Sequence, residues 1–105
     1  MNETQNNENK AIIPSEMARL RTMLTDMGVE WWDDSNITLT YEYEVLNIYR
    51  TKFKYEGSEF SVIYGQNTYG YDKGLLEVWD YREEEPTGYH TADDVIAMMK
   101  GEYKG

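Results

Sequence analysis

The chain has 105 residues and a formal net charge of −10, with 20 acidic and 10 basic side chains. This length suits one compact domain and is too short for two. The absence of cysteine excludes disulfides, thiolate metal sites and a cysteine nucleophile, and it fits a reducing cytoplasm. The apolar runs are too short to span a membrane, and direct binding of nucleic acid would need a local basic patch.

The chain begins with the polar stretch MNETQNNENK, so a disordered tail is predicted over residues 1–11 and a single domain over residues 12–105. A helix is expected to begin at Ser15, whose hydroxyl can cap it, and to end at a left-handed Gly28. Its apolar residues recur at helical spacing: Met17, Leu20, Met23, Leu24 and Met27. Core packing is the favoured interpretation of this stripe, and a methionine-rich peptide groove is the alternative.

Two adjacent tryptophans follow the helix. Because neighbouring side chains point to opposite sides of an extended chain, one of Trp31 and Trp32 is expected in the core. The other, which we assign as Trp32, is a candidate interface anchor. The next residues, DDSN, predict a turn, and their paired carboxylates lack the pattern of an EF-hand loop.

Two alternating segments then predict half-buried strands over residues 37–45 and 49–56. If these strands pair as antiparallel neighbours, the bases of the second lie across from Glu42 and Glu44 of the first. The bases are Arg50, Lys52 and Lys54. Cross-strand ion pairing is the favoured interpretation of this basic patch, and phosphate binding is the alternative.

A tight hairpin at Gly57 and Ser58 leads to a third predicted strand over residues 60–64. A fourth strand is predicted over residues 75–80 and is expected to be the most buried, because both of its faces hold apolar groups. Pro86 should prevent its continuation as a central strand.

The last predicted element is a helix that is capped by Thr91 and stopped by Gly101. The resulting order is helix, four strands, helix. It predicts an α+β fold in which an antiparallel sheet of about four strands has the N-terminal and the C-terminal helix packed on one face.

The segment GQNTYGYDKG, residues 65–74, connects the third and fourth predicted strands, and we call it the Tyr/Gly loop. Its glycines lack the P-loop spacing, and a strand follows it instead of a helix. Neither a phosphate loop nor a dinucleotide loop is therefore predicted. Tyr69 and Tyr71 can fold back over the sheet, contact a partner or stack on a small ligand.

Carboxylates are concentrated in residues 56–94, which hold ten acidic and two basic side chains. The candidates for a partner surface are Asp72, Asp80, Glu83, Glu84 and Glu85. They form either a solvated turn or a surface for a basic partner. Alternate carboxylates on a strand are about 6.6–6.8 Å apart, close to two phosphate steps of about 3.4 Å each, so such a surface can imitate a nucleic-acid backbone.

His90 is the one histidine of the chain, and its position before the cap Thr91 indicates a structural role. A hydrolase triad would have to use it, and no serine is indicated as its nucleophile. We therefore predict no catalytic residue, no cofactor and no metal site, and we do not expect an enzyme.

Three stretches carry a resemblance to known proteins: RLRTMLTDMGVEWWDD, FSVIYGQNTYGYDKGLLEVWDY and PTGYHTADDVIAMM. Over about residues 19–99 the chain resembles small, acidic, mostly uncharacterised proteins of gut-bacterial phages and integrative elements. The resemblance implies a mobile-element origin, and hence the cytoplasm of a host bacterial cell, and it assigns no activity.

The sequence thus predicts a non-enzymatic interaction protein of a mobile element that occupies a basic site on a host protein. Its most concrete form is an inhibitor of a nucleic-acid-handling enzyme, of the anti-CRISPR or antirestriction type. The predicted partner-binding residues are Tyr69, Tyr71, Asp72, Asp80, Glu83, Glu84, Glu85 and Trp32. The alternatives are a small-ligand or nucleotide-binding module built on the Tyr/Gly loop, and a structural homodimer that pairs its sheet edges.

Overall fold

The computed structural model describes residues 13–36 and 47–104, which form two helices and a five-stranded antiparallel sheet. The helices are α1 (Ser15–Asp26) and α2 (Ala92–Lys100). The strands are β1 (Trp31–Asp33), β2 (Ile48–Tyr55), β3 (Ser58–Gly65), β4 (Leu76–Asp80) and β5 (Thr87–His90), with a 3₁₀ turn at Tyr71–Lys73. The predicted α+β class is confirmed, with five strands where about four were expected.

Two predictions fall on parts of the chain outside the described residues. These are the tail over residues 1–11 and the strand over residues 37–45, which includes Glu42 and Glu44. Within the described residues, neither helix has the length and apolar character needed to cross a membrane.

Each strand of the sheet pairs with the next strand in sequence, in the order β1-β2-β3-β4-β5. A two-residue turn joins β2 to β3, because Tyr55 pairs with Ser58. Both turn residues are left-handed, with φ values of 50° for Glu56 and 84° for Gly57. Positive φ at both positions is the pattern of a type I′ turn, which matches the twist of the flanking strands. The predicted hairpin therefore exists, one residue earlier than expected.

The two edge strands are elements that the sequence reasoning does not predict. β1 has three residues, which are too few to show an alternating pattern. In β5, Gly88 and a left-handed Tyr89 (φ 64°) interrupt the alternation. The pairing of β5 with β4 is also irregular between Leu76 and Val78. Pro86 directly precedes β5, which agrees with an edge position.

The core lies between one face of the sheet and both helices. The buried apolar residues of the sheet are Phe53, Phe60, Val62, Leu76 and Val78. The helices supply Met17, Leu20, Leu24, Ala92, Val95, Ile96 and Met99. Complete burial of each large side chain contributes about 1.5–3 kcal/mol. The methionine stripe of α1 thus packs in the core at its buried end, whereas Met27 is exposed.

Helix α2 begins and ends at the predicted residues. The Asp94 amide donates to Thr91 Oγ1 at 3.1 Å, and the Thr91 amide donates to Asp94 Oδ2 at 3.0 Å. These two bonds form a capping box, which satisfies donors that a helix start leaves free. Gly101 ends the helix with a φ of 76°.

Helix α1 ends as predicted at Gly28, which has a φ of 74°, but it is not capped by Ser15. Its N-cap residue is Pro14, whose carbonyl accepts the Ala18 amide at 2.9 Å. Ser15 is therefore already the first helical residue, and its side chain makes no cap hydrogen bond. The predicted cap is wrong by one residue.

Polar contacts join the first turns of the two helices. Glu16 Oε1 accepts the Ala92 amide at 2.8 Å, and Arg19 pairs with Asp93 at 2.8 Å. Since these residues are more than 70 positions apart in sequence, the contacts hold α1 and α2 side by side on the same face of the sheet.

Candidate partner-binding surface

The predicted partner-binding residues lie in three places on the sheet. The Tyr/Gly loop precedes β4, and residues 81–86, which we call the acidic turn, follow it. The five residues of β4 rise about 13 Å, so the two segments lie at opposite ends of this strand. Trp32 is on β1, three strands from β4 and about 14 Å across the sheet.

The backbone of the Tyr/Gly loop folds back against its own sheet. The Tyr69 amide donates to Glu77 Oε1 at 2.7 Å, and the Tyr69 carbonyl accepts the Tyr89 amide at 3.4 Å. Thr68 Oγ1 donates to the Gly65 carbonyl at 2.6 Å. The loop's polar groups are therefore largely used inside the molecule, as in the first of the three predicted roles.

Close backbone contacts explain two of the glycines in this region. Gly70 has a φ of 106°, and a Cβ there would lie 2.9 Å from the Leu75 carbonyl oxygen. A Cβ on Gly88 would collide with the Cβ of Tyr69, which crosses directly over it. The loop thus needs glycine for packing against β5 rather than for an approach to phosphate.

The two tyrosines of the loop differ in their surroundings. The ring of Tyr71 packs on Tyr64, with centroids 5.1 Å apart, and the Tyr64 hydroxyl donates to the Tyr71 carbonyl at 3.1 Å. The side chain of Tyr69 is 61% exposed. Asp72 is exposed and takes part in no ion pair within the described residues.

A tyrosine-lined cavity of about 340 Å³ opens beside this loop. Tyr49, Tyr64 and Tyr71 contribute rings to it, next to Pro14 at the start of α1. Burial raises the pKa of the Tyr49 and Tyr64 hydroxyls, so both remain protonated hydrogen-bonding groups at neutral pH. The cavity borders Tyr71 and not Tyr69.

At the other end of β4, Asp80 is not the free carboxylate that was predicted. Asp80 is only 8% exposed, and its carboxylate accepts hydrogen bonds from Arg82 Nη2 at 2.6 Å and from Arg82 Nε at 2.9 Å. The hydrogen bonds from Arg82 lower the pKa of Asp80 below its usual value. Asp80 shares the inward side of β4 with Leu76 and Val78, so its charge is neutralised within the protein. Asp80 therefore does not belong to the carboxylates that could attract a basic partner.

The remaining carboxylates of the acidic turn face solvent. Glu83, Glu84 and Glu85 are exposed, and none of them takes part in an ion pair within the described residues. The turn is fixed at its start, because the Glu83 amide donates to the Asp80 carbonyl at 2.7 Å. It therefore presents three consecutive negative charges on an anchored backbone.

The sequence reasoning did not select the aromatic pair beside this turn. Trp79 and Tyr81 are 41% and 43% exposed, and their ring centroids lie 4.9 Å apart. The Trp79 indole N–H donates to the Glu83 carbonyl at 3.1 Å, which ties the pair to the acidic turn. Alternation could have found Trp79, since it points away from Leu76 and Val78. The prediction that this strand is the most buried is confirmed among the described strands, with three of its five residues buried, although Trp79 on its outer face is exposed.

The tryptophans of β1 lie on opposite faces, as predicted. Trp31 pairs with Phe53 on the inner side, and the Arg21 guanidinium lies 4.9 Å from its ring. Trp32 pairs with Lys52 and is exposed on the outer face, which is the face turned away from the helices. Strand register places Lys52 opposite Ser61 and Ser61 opposite Trp79, so Trp32 and Trp79 flank one row of this face.

The basic patch of β2 has acidic neighbours of its own. Arg50 lies 3.4 Å from Asp34, and Lys52 lies 4.0 Å from both Asp34 and Glu59. The predicted partners Glu42 and Glu44 are outside the described residues. The ion pairs present favour the structural interpretation of these bases over phosphate binding.

His90 is buried behind β5. Its Nε2 lies 2.8 Å from Thr87 Oγ1, and its Nδ1 has no hydrogen-bond partner and lies 3.7 Å from Asp94 Oδ2. Burial lowers the pKa of its imidazole, although Asp94 opposes this effect. Among residues 13–36 and 47–104, no group of three or more histidine or carboxylate side chains is arranged to hold a metal ion.

Comparison of the chain with protein-family models, with curated protein sequences and with solved structures finds no match in any of the three. The functional proposals below therefore depend on the geometry and charge of the described residues.

Proposed function

We propose that the protein is a non-enzymatic interaction protein of a mobile element and that its acidic turn occupies a basic site on a host cytoplasmic protein. The observation that carries the proposal is the exposed Trp79–Tyr81 pair, whose indole N–H donates to the Glu83 backbone carbonyl at the start of three consecutive carboxylates that are unpaired within the described residues.

The two parts of this surface have different physical roles. Exposed aromatic side chains supply most of the binding energy when a partner buries them, and each such anchor contributes about 2 kcal/mol or more. The carboxylates Glu83, Glu84 and Glu85 raise the association rate with a positively charged partner. The hydrogen bond from Trp79 to Glu83 keeps the aromatic pair and the charges in register, so little entropy is lost on binding.

A nucleic-acid-handling enzyme is the partner class that this chemistry fits best. Such enzymes carry basic channels flanked by groups that stack on bases. An aromatic pair beside three carboxylates offers both kinds of contact to the same channel. The protein would then act as an inhibitor of the anti-CRISPR or antirestriction type by excluding the enzyme's substrate.

The test has two stages. Immobilised full-length protein would be used to capture host bacterial proteins at low and at high salt, and each captured enzyme would be purified. Fluorescence anisotropy would then measure whether the protein displaces labelled DNA or RNA from it. We expect a basic enzyme that is lost at high salt and whose nucleic acid is displaced in a one-to-one manner.

A charge-reversal variant, E83K/E84K/E85K, tests the assignment to the acidic turn. It should slow association by about tenfold at low salt and flatten the salt dependence. The matched control D26K/E30K/E56K changes the net charge equally at exposed carboxylates that are unpaired within the described residues. If both variants slow association equally, the net charge acts and the acidic turn has no special role.

A small-ligand module is the second candidate, and the tyrosine-lined cavity favours it. At about 340 Å³, the cavity is at the lower end of ligand-site volumes, which run from about 300 to 1,000 Å³. Its rings from Tyr49, Tyr64 and Tyr71 could stack on a nucleobase. A thermal-shift screen with nucleosides and nucleotides should then raise the melting temperature, and Y71A should abolish the rise.

A further inference from the structure

A second cavity, of about 370 Å³, lies beneath the acidic turn. It is bounded by the inward side of β4, the start of β5 and the C-terminal end of α2. Its lining residues with a role below are Val78, Glu83, Glu85, Met98, Gly101 and Tyr103. We call this cavity the turn cleft.

The floor of the turn cleft is apolar, and one of its walls is aromatic. Val78 is fully buried at its base, and Met98 is half-buried against the core. Tyr103 contributes its ring, which also contacts the edge of buried His90 at a centroid distance of 5.2 Å. A ligand in the cleft would therefore meet aliphatic carbons below and a ring beside it.

The charges around the turn cleft are negative once internal pairs are removed. Asp80 and Arg82 both line it, but they neutralise each other in a bidentate ion pair. The exposed carboxylates of Glu83 and Glu85 remain at its mouth. At the C-terminal end of α2, Lys100 in the last turn offsets the negative end of the helix dipole, so the two glutamates carry the negative charge of the cleft.

We propose that the turn cleft receives the side chain of an arginine or lysine from the basic partner protein. Such a side chain combines an aliphatic stem, which suits the apolar floor of the cleft, with a cationic head, which suits the carboxylates at its mouth. Its aliphatic stem would pack on Val78 and Met98, and its cationic head would lie between the glutamates and the face of Tyr103. This inference rests on the proposed function and specifies which kind of residue the partner inserts.

Other occupants fit the cleft less well. An anion would be repelled by Glu83 and Glu85, and a purely apolar group would leave both carboxylates without a partner. A hydrated metal ion would gain nothing from Val78 and Met98. A free diamine or polyamine shares the cationic chemistry, and the competition arm described below distinguishes it from a protein side chain.

The experiment uses the full-length protein and a minimal probe, N-acetyl-arginine amide, followed by NMR. The neutral isostere N-acetyl-citrulline amide serves as the ligand control. We expect saturable shifts of the Met98 methyl and the Gly101 amide with the arginine probe, at a Kd in the millimolar range of about 1–10 mM. The citrulline probe should bind at least about fivefold more weakly.

Two variants locate the binding. E83Q/E85Q removes the charges at the mouth and should weaken arginine binding about fivefold, whereas the matched pair E30Q/E56Q should change it less than twofold. Y103L keeps an apolar wall without the aromatic face and should weaken binding about threefold. Equal affinity for both probes, or shifts that avoid Met98 and Gly101, would overturn the proposal.

The competition arm uses spermidine and a basic peptide that carries one central arginine. If the peptide displaces the arginine probe and its Arg→Ala counterpart does not, a protein side chain is supported. If spermidine displaces the arginine probe and the peptide does not, the occupant is a free polyamine, and the proposal of a protein side chain is overturned. If the probe binds the cleft but no host enzyme is captured, the proposed function fails and the cleft assignment stands. If an enzyme is captured and the probe does not bind, the cleft assignment fails and the proposed function stands.

Discussion

The two ends of β4 carry similar residues and differ in how their polar groups are used. At the Tyr/Gly loop, the amide and carbonyl of Tyr69 bond within the molecule, and the backbone packs on Gly88. At the acidic turn, the backbone is held while Glu83, Glu84 and Glu85 stay unpaired among the described residues. Exposed rings occur at both ends, so exposure alone does not identify a binding surface. The two ends differ in that the glutamates of the acidic turn make no ion pair within the described residues and so can contact a partner.

The largest expected effect is a loss of stability at the end of β4 that carries the Tyr/Gly loop. G88A would place a Cβ against the Cβ and carbonyl of Tyr69, and this overpacking should lower the free energy of unfolding by about 3 kcal/mol. G74A is the control, because a Cβ there meets nothing within 4 Å and only its left-handed φ of 72° is strained. Urea denaturation should show a loss of about 1 kcal/mol for the control. Equal losses would mean that the loop does not pack on β5.

At the acidic end, the strongest internal contact is the Asp80–Arg82 pair. R82A would leave the buried Asp80 carboxylate without its cationic partner, with the backbone amide of residue 82 still donating to it, and should cost about 2 kcal/mol in urea denaturation. K73A removes an exposed lysine that makes no ion pair within the described residues, and it should change stability by less than about 0.5 kcal/mol. A cost for R82A no larger than that of K73A would show that the pair is not needed.

Binding should separate the two ends most directly. W79A removes an aromatic anchor fixed to the acidic turn and should weaken the partner complex by about 2 kcal/mol, a thirtyfold rise in Kd. Y69A removes a more exposed ring, in the Tyr/Gly loop at the other end of β4, and should change Kd by less than about twofold because that ring lies outside the proposed interface. Isothermal titration with the captured partner measures both. The reverse order would move the binding surface to the Tyr/Gly loop.

The smallest effect concerns His90, beside the start of α2. Its pKa is lowered in the folded state by burial, so the unfolded chain takes up a proton first as the pH falls below the usual value of 6.5. The contribution of neutral His90 to the free energy of unfolding is therefore fully present above pH 6.5. It decreases as the pH falls from 6.5 towards the lower pKa of the folded state. Urea denaturation between pH 7.5 and 5 should show this decrease for the native protein and not for H90Q. A loss of the same size in H90Q would assign it to other groups.

Alternation and capping signals predicted the elements of the molecule that are long enough to carry them. β2, β3 and β4 and both helices follow from apolar spacing, and the capping box of Thr91 and Asp94 is visible in TADD. β1 and β5 are too short or too irregular for a pattern, and only their pairing with longer neighbours defines them. Strand order then follows from the antiparallel pairing of strands that are consecutive in sequence.

The candidate site was partly predictable, and its main error had a readable cause. Asp80 shares the inward side of β4 with Leu76 and Val78, so a carboxylate there needs a partner, and Arg82 is two residues away. The same alternation points Trp79 outward. The hydrogen bond between the Trp79 indole and the Glu83 carbonyl could not be predicted, because it depends on the path of the turn.

The order of the strands also has a consequence for how the chain reaches its native state. Within residues 13–36 and 47–104, every ladder joins strands that are consecutive in sequence, so the sheet from β2 to β5 can grow hairpin by hairpin. The contacts of Glu16 with Ala92 and of Arg19 with Asp93 instead close a loop of more than 70 residues. Docking of the first helix against the last is thus the entropically costly closure, and variants at these four residues would alter its rate.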